Sequence, residues 1–291
     1  MPLSRYATTL LLVVGAMMTA CVDPAPYDLQ AGRDAVARDD PQEAVKMYDR
    51  VIASSSQPAN LRAGALIERG NVYRDGGDLD KALADYDAAI KLMPNLADAY
   101  AHRAVIHVIQ NEFDKAIADY DRALALDPRI GPNYFQRGLA KAQLRRWGEA
   151  VTDYTLAVRY GFADADVYER RGDANAMLGA TDQAIADYSR AIALDPQSAD
   201  AYNNRGVAYA RQGHYEQAIA DYSQAIVIDA ELSRAYANRG SVYEKTGRKA
   251  EALADYQRAL ALNAEEPDAR AGIKRLGAPA ARPAPAAPAA R

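Results

Sequence analysis

Apolar and small residues recur along this chain at the spacing of paired amphipathic helices. Between residues 63 and 75, one helix face is formed at i, i+3, i+4 and i+7 by Leu66, Arg69, Gly70 and Tyr73. Two consecutive glycines, Gly76 and Gly77, then predict a turn. The facing stripe of a second helix consists of Ala82, Tyr86 and Ala89. The segment therefore predicts a helical hairpin with small residues where the two helices approach each other.

The hairpin pattern recurs every 34 residues without insertion or deletion. Its clearest marker is an Asp-Tyr pair, whose tyrosines are Tyr86, Tyr120, Tyr154, Tyr188, Tyr222 and Tyr256. A second marker, an arginine followed by a small residue, keeps the same interval from Arg69 to Arg239. One hairpin cannot bury its apolar face alone, so repeated hairpins stack on their neighbours. We therefore expect a solenoid whose function depends on an extended surface.

This pattern resembles the tetratricopeptide repeat (TPR). The resemblance implies an all-α superhelical solenoid of antiparallel helix pairs, with six clear repeats at 63–96, 97–130, 131–164, 165–198, 199–232 and 233–264. A degenerate repeat is predicted at 29–62, where Gly32, Ala44 and Tyr48 keep a register that begins at about residue 25. Residues 265–277 predict a C-terminal capping helix, with Pro267 near its start and Gly277 at its end.

A few positions depart from the family pattern without breaking the period. Ala104 stands where the other repeats have glycine, and Lys141 and Asn175 occupy the place of Tyr73. The proline that closes other repeats is replaced by Phe162, Ala230 and Ala264. A loop longer than usual is predicted before residue 63, from three serines at 54–56 and Pro58.

The first 28 residues predict export and membrane attachment. Residues 1–20 combine Arg5 with an apolar stretch about half as long as the ~20 residues that span a bilayer, which is typical of a signal peptide. Residues 18–21, Met-Thr-Ala-Cys, resemble the lipobox of bacterial lipoproteins, which implies cleavage before Cys21 and acylation of its sulfur. Residues 21–28 then predict a lipidated tether. The alternative is an ordinary secretory signal followed by an unmodified Cys21.

The lipoprotein resemblance also implies a location. Val22 follows the cysteine, and in the enterobacterial sorting rule a lipoprotein without Asp there goes to the outer membrane, where it faces the periplasm. At the other end of the chain, residues 278–291 have four prolines and no apolar periodicity, so they predict a disordered Pro/Ala tail. A plain spacer is the favoured role for that tail.

Each clear repeat carries an arginine at its seventh position and an aspartate at its twenty-third. The pairs are Arg69 and Asp85, Arg103 and Asp119, Arg137 and Asp153, Arg171 and Asp187, Arg205 and Asp221, and Arg239 and Asp255. The seventh position is often apolar in this family, and an arginine that is partly buried needs a carboxylate partner. We therefore predict a ladder of ion pairs along the stack. The alternative is a basic stripe that binds an acidic polymer.

In TPR arrays the first helix of each repeat lines the concave face. By this resemblance, repeats two and three present an apolar group suited to peptide side chains, consisting of Ala101, Val105, Val108, Ile109, Phe135 and Leu139. Repeats four to six present polar side chains that could bind a peptide backbone, among them Arg170, Asn203, Asn204 and Asn238. Two alternatives stay open. The apolar group could pack between adjacent helices, and the polar group could be a solvated face.

Composition and motifs argue against catalysis and nucleic-acid binding. The chain has 35 basic and 39 acidic residues and no basic cluster. Its three histidines lack the spacing of a metal or catalytic set, since His102 and His107 are five residues apart on a helix. The sequence has neither a nucleophile elbow nor a phosphate loop. We expect a protein that is not an enzyme, has no cofactor and has no metal.

The combination of TPR repeats with a lipobox resembles NlpI-type bacterial lipoproteins. This resemblance implies an adaptor that binds other envelope proteins, such as cell-wall hydrolases or a protease, and it allows a homodimer. A second hypothesis is an assembly factor for a pilus, secretin or exopolysaccharide export machine, because those systems also use lipoproteins built from TPR repeats. A soluble enzyme or a co-chaperone would require an unmodified Cys21.

Overall fold

The computed structural model describes residues 25–277, so the predicted signal peptide, Cys21 and the Pro/Ala tail lie outside the described residues. Within that range the chain forms fifteen α-helices and no strand. They are α1 (Ala25–Ala37), α2 (Pro41–Ala53), α3 (Ala59–Asp75), α4 (Leu79–Leu92), α5 (Ala97–Ile109), α6 (Phe113–Leu126), α7 (Gly131–Gln143), α8 (Trp147–Arg159), α9 (Ala165–Met177), α10 (Thr181–Leu194), α11 (Ala199–Arg211), α12 (Tyr215–Ile228), α13 (Ser233–Lys245), α14 (Lys249–Leu262) and α15 (Pro267–Arg275). This order confirms the predicted solenoid of helix pairs.

Consecutive helices pack as hairpins, and each hairpin stacks on the next. The first helix of a repeat contacts its own second helix, as α7 contacts α8, and it also contacts the first helix of the following repeat, as α7 contacts α9. At the C-terminal end, α15 packs against both α13 and α14. The predicted capping helix is therefore present, and Ala269 and Ile273 are its buried apolar residues.

The two helices of a hairpin meet where a glycine faces the repeated tyrosine. A Cβ atom placed on Gly138 would lie 2.6 Å from Cε1 of Tyr154, closer than carbon atoms approach in proteins. Tyr154 is almost completely buried, with 1% of its surface exposed. The second repeat accommodates Ala104 at this position, in contact with the buried ring of Tyr120. The close approach of the helices explains why the sequence keeps a small residue here.

The predicted ladder of ion pairs is present in all six clear repeats. Each arginine binds both carboxylate oxygens of its aspartate, and in the third repeat Nε and Nη2 of Arg137 lie 2.9 and 2.6 Å from the oxygens of Asp153. The six aspartate side chains are 2–9% exposed and the six arginine side chains 14–24%. Since the carboxylate and the guanidinium are both largely withdrawn from water, the ion pairs are part of the packed interface between the two helices of each repeat.

Two of the departures from the family pattern supply the ladder with a second donor. In the third repeat, Nζ of Lys141 lies 3.0 Å from Asp153. In the fourth, the side-chain amide of Asn175 donates to Asp187 at 2.9 Å. Both residues occupy the place of Tyr73, so at these positions a hydrogen-bond donor to the buried carboxylate replaces an aromatic ring.

Each arginine of the ladder also reaches the preceding repeat. Its Nη1 group donates to a side chain at the twenty-fifth position of that repeat, as Arg137 does to Asp121 at 2.6 Å and Arg205 does to Ser189 at 3.0 Å. One guanidinium therefore connects three helices, namely both helices of its own repeat and the second helix of the repeat before. This third contact links neighbouring repeats along the solenoid.

The structure corrects the prediction at the N-terminal tether. α1 begins at Ala25, so the second half of the segment 21–28 is helical. Asp28 is buried and lies 3.4 Å from Nη1 of Arg50 on α2, which fixes this turn of helix to the degenerate repeat. A further difference concerns α3, which begins at Ala59, directly after Pro58, and so shortens the predicted loop. Proline has its φ fixed near the helical value, which suits the start of a helix.

The turn between the two helices of each repeat uses a left-handed residue. Four clear repeats place glycine there, namely Gly77, Gly179, Gly213 and Gly247. The second and third repeats use Asn111 and Arg145 instead, with φ of 60° and 58°. Arginine in this region is strained because its Cβ atom approaches the following carbonyl oxygen.

Among residues 25–277, no helix has the length and apolar character needed to cross a bilayer.

Candidate interaction groove

Repeats two to five enclose an open groove of about 890 Å³. Its floor and rims come from α5, α7, α9 and α11, the first helices of these repeats, and the second helices α6, α8 and α10 contribute residues along one side. Of the residues predicted from sequence for a partner-binding surface, four line this groove: Val108, Leu139, Arg170 and Asn204.

One side of the groove is apolar. It is formed by Val108, Phe113, Leu139, Trp147 and Met177. Met177 is the most exposed of these, at 59%, whereas the others are half-buried. The aromatic residues Phe113 and Trp147 are the first residues of α6 and α8. Their partial exposure in the groove gives this side a surface to which apolar side chains can bind.

Phe135 does not belong to this surface, contrary to the sequence prediction. The ring is 5% exposed and packs 5.8 Å from Tyr154 and 5.4 Å from Phe162, measured between ring centroids. Phe162 replaces the closing proline of its repeat, so the aromatic pair fills space inside the repeat. Ala101 likewise packs against the cluster of Ala104, Ala116 and Tyr120. For these two residues, packing between helices was the correct alternative.

Four other predicted residues lie outside the lining of the main groove. Asn203 is 2% exposed, and its side-chain carbonyl accepts a hydrogen bond of 2.9 Å from Asn238 in the next repeat. Asn238 lines a smaller cavity of about 170 Å³. Val105 is half-buried, and Ile109 at the end of α5 is 50% exposed. Asn203 therefore contributes to packing between repeats, and its side chain is not available at the surface.

The polar residues of the groove come mainly from α9, the helix that also carries Met177. Arg170 lies 3.0 Å from Asp166 and 3.7 Å from Asp173. Asp173 also accepts hydrogen bonds from Tyr188 at 2.8 Å and from Asn204 at 3.2 Å. Burial raises the pKa of the Asp173 carboxyl above its ordinary value, and these hydrogen bonds oppose that shift.

Sequence reasoning did not identify the hydroxyl of Tyr154 as a groove group. Tyr154 lines the groove, and within residues 25–277 its hydroxyl has no hydrogen-bond partner. In the next repeat, the equivalent hydroxyl of Tyr188 donates to Asp173. The difference follows from the ninth position of the repeat, which is Leu139 in one case and Asp173 in the other. An apolar residue at that position was the signal in the sequence for an unpaired tyrosine.

These features define a helical-repeat scaffold with a groove that is lined by apolar and polar residues. The TPR family models match residues 97–130, 199–231 and 233–265, and a related TPR repeat model matches 70–108 and 172–213. Together the matched segments cover more than half of the chain. The chain belongs to the tetratricopeptide repeat family, whose repeats form protein–protein interaction scaffolds.

Solved structures of TPR proteins support the same fold. YrrB, described as a TPR protein with an unusual peptide-binding site, superposes with a TM-score of 0.59 at 23% identity, over 65% of this chain and 97% of its own. The C-terminal part of a TPR protein from Cytophaga hutchinsonii gives 0.67 at 17% identity, over 84% and 99%. MamA gives 0.54 at 29% identity, over 56% and 95%. A search of curated proteins gave no significant match.

Within the described part of the chain, no group of three or more His, Cys, Asp or Glu side chains is arranged to hold a metal ion. His107 instead makes a hydrogen bond of 2.8 Å to Glu112 at the end of its hairpin. His102 stacks on Tyr86, with ring centroids 5.7 Å apart, and its burial lowers its pKa. His102 thus contacts the preceding repeat, and His107 contacts a residue of its own repeat.

Proposed function

We propose that this protein is a lipid-anchored scaffold of the bacterial envelope, which binds segments of other envelope proteins in its groove. The observation that carries the proposal is the mixed lining of the groove, in which the apolar residues Trp147, Leu139 and Met177 lie with the polar residues Arg170, Asp173 and Asn204. A groove of this kind can bind apolar side chains of an extended or helical peptide and hydrogen-bond its backbone. Membership of a family of interaction scaffolds supports this role.

Acylation of Cys21 is the second part of the proposal. Acyl chains add about 0.8 kcal/mol of membrane affinity per buried methylene, and two or more chains hold a soluble body stably. With Val22 after the cysteine, we place the anchor in the outer membrane, facing the periplasm. Anchoring confines the scaffold and its partners to one surface, and this raises their effective concentration without further contacts. We propose cell-wall hydrolases or a protease as partners, as in NlpI-type lipoproteins.

Cross-linking in intact cells, followed by mass spectrometry, tests the groove. We would compare the native chain with the groove variant Leu139→Ser/Met177→Ser and with the control Val227→Ser, whose valine is 76% exposed and lies outside the groove lining. Wall hydrolases or a protease should be lost from the groove variant and retained by the control. Pilus, secretin or polysaccharide-export subunits would support the assembly-factor hypothesis instead. Equal recovery by all three forms would remove the groove from the proposed function.

The anchor is tested separately with an alkyne analogue of palmitate. Native protein should incorporate the label and fractionate with outer membranes, whereas Cys21→Ser should do neither. Labelling that does not depend on Cys21, or a native protein found free in the periplasm, would contradict the anchor and leave the groove proposal standing.

A further inference from the structure

We propose that the groove selects peptide segments that carry a lysine or arginine beside an apolar residue. The basic side chain binds the carboxylates of α9, and a peptide carbonyl accepts a hydrogen bond from the hydroxyl of Tyr154. This inference rests on the proposed peptide-binding function and specifies the chemistry of its ligand.

The charge of α9 is the first observation. Asp166, Glu169 and Asp173 stand at i, i+3 and i+7, so they share one face of the helix. Arg170 is on the same helix, and its guanidinium lies 3.0 Å from Asp166 and 3.7 Å from Asp173. Asp166 and Asp173 line the groove and Glu169 lies outside its lining, so three carboxylates with one guanidinium give this face of α9 a net negative charge. A cationic side chain of a ligand would be complementary to it.

A second arginine of the groove lies at the other end of α9. Nη1 of Arg211 donates to the carbonyl of Ala176 at 3.2 Å. Ala176 is ten residues after Asp166, which corresponds to about 15 Å along a helix. The groove is therefore more acidic at the Asp166 end of α9 than at the C-terminal end, where Arg211 lies within about one helical turn of Asp173. A ligand cation is expected at the acidic end.

The environment of the acidic side chains favours an added cation. Burial raises the pKa of Glu169 and of Asp173, and the charge of Asp173 raises the pKa of Glu169 further. Glu169 accepts one hydrogen bond, from Ser198 at 3.2 Å. A desolvated carboxylate beside a second one is stabilised when a positive charge approaches. Binding of a basic side chain would supply that charge.

Tyr154 is the second and independent observation. Its side chain is 1% exposed, and its ring is fixed between Gly138 and Phe135. Its hydroxyl reaches the groove and, within residues 25–277, donates to no protein acceptor. An acceptor on a ligand would stabilise the complex by accepting a hydrogen bond from this hydroxyl, which is otherwise unpaired on a buried ring. A peptide carbonyl placed between Leu139 and Asp173 would meet this requirement.

The apolar side of the groove specifies the neighbouring ligand residue. Leu139 and Trp147 belong to the third repeat, as Tyr154 does, and Met177 is on α9 with the carboxylates. An apolar side chain adjacent to the basic one can therefore contact these residues. The predicted ligand signature is a basic residue and an apolar residue close together in an extended segment.

Selection from a phage-displayed library of random peptides tests the specificity. The immobilised mature chain should enrich peptides with Lys or Arg beside a large apolar residue. The variant Asp166→Asn/Asp173→Asn should still select apolar peptides and lose the basic preference. Enrichment of acidic or neutral peptides by the native chain would overturn this inference while leaving the proposed function intact. A native chain that enriches no peptide would contradict both.

The hydroxyl is tested by the binding of the most enriched peptide, measured by fluorescence polarisation. Tyr154→Phe keeps the ring and removes the hydroxyl, so affinity should fall by about 2- to 10-fold, the range of one hydrogen bond. Tyr120→Phe is the matched control, because that hydroxyl is also unpartnered but is buried away from the groove. Equal affinity of Tyr154→Phe and the native chain would exclude the hydroxyl from recognition.

Discussion

The N-terminal half of the solenoid, repeats one to three, and the C-terminal half, repeats four to six, reach the same fold with different residues. In the N-terminal half, each ladder arginine contacts an aspartate of the preceding repeat: Asp49, Asp87 or Asp121. In the C-terminal half, the equivalent acceptor is a hydroxyl: Thr155, Ser189 or Ser223. The contact between repeats thus changes from ionic to neutral midway along the chain.

The halves also differ at the turns and at the groove. Non-glycine left-handed residues, Asn111 and Arg145, occur in the N-terminal half, whereas repeats four to six all have glycine. The N-terminal half gives the groove most of its apolar residues, and α9 of the C-terminal half gives the acidic ones together with Met177. The bidentate pair inside each repeat is common to both halves. The ion pair within each repeat is therefore common to the whole solenoid. The residues that contact the preceding repeat and those that line the groove differ between the two halves.

The largest expected effect comes from removing a ladder arginine. Arg205→Ala leaves Asp221 buried, and within residues 25–277 no other side chain hydrogen-bonds to that carboxylate. We expect a loss of about 2–3 kcal/mol, below the range for a fully buried pair because the Arg205 side chain is 18% exposed. Arg137→Ala should cost about half as much, since Lys141 remains 3.0 Å from Asp153. Urea unfolding of both variants measures the difference, and equal losses would contradict this role of Lys141.

The repeated tyrosines provide the next comparison. Tyr188→Phe removes a hydrogen bond to Asp173 and should cost about 1 kcal/mol. Tyr120→Phe removes a buried hydroxyl that has no partner and should leave stability unchanged or slightly increased. Thermal melting of the two variants under the same conditions distinguishes them. A Tyr120→Phe variant as unstable as Tyr188→Phe would mean that the Tyr120 hydroxyl has a partner in solution.

The strained turn of the third repeat should respond to substitution in the opposite direction. Arg145→Gly gives this turn the residue used at Gly179, and it should stabilise the protein by about 0.5–1 kcal/mol, because glycine adopts positive φ without a Cβ clash. Arg145→Lys, which keeps both charge and strain, is the control and should melt like the native chain. A destabilised Arg145→Gly variant would show that the arginine side chain contributes more than the strain costs.

The smallest expected effect comes from replacing the ionic contact between a ladder arginine and the preceding repeat with a neutral one. Asp121 is 56% exposed, so Asp121→Ser should cost about 0.5 kcal/mol at low salt and less at high salt. The reverse change, Ser189→Asp, should stabilise by a similar amount. Melting temperatures at low and high sodium chloride concentration measure both effects. Shifts that do not depend on salt would mean that these contacts act through packing and not through charge.

Much of the fold could be predicted from the sequence because the same residue types recur at the same positions in all six clear repeats. The pattern in each repeat therefore supports the interpretation of the others. Six occurrences of Arg at one position and Asp at another predicted an ion pair that no single repeat could have established, and the structure showed that the pair is largely buried. The turn glycines and the small residue opposite Tyr154 were predictable for the same reason. The N-terminal boundary was less well predicted: two prolines and a short segment suggested a tether, whereas α1 begins at Ala25 and buries Asp28.

The sequence by itself determined the period, the pairing of helices and the ladder, because these depend on contacts at fixed separations within one 34-residue unit. Only the tertiary structure decided which side chains face the groove. Phe135 and Leu139 are four residues apart on α7, yet one fills the core beside Phe162 and the other lines the groove. Tyr154 lines the groove, and its hydroxyl is unpaired among the described residues because its neighbour Leu139 offers no acceptor. Such outcomes depend on how adjacent repeats stack, and the spacing of residues along the chain does not specify that.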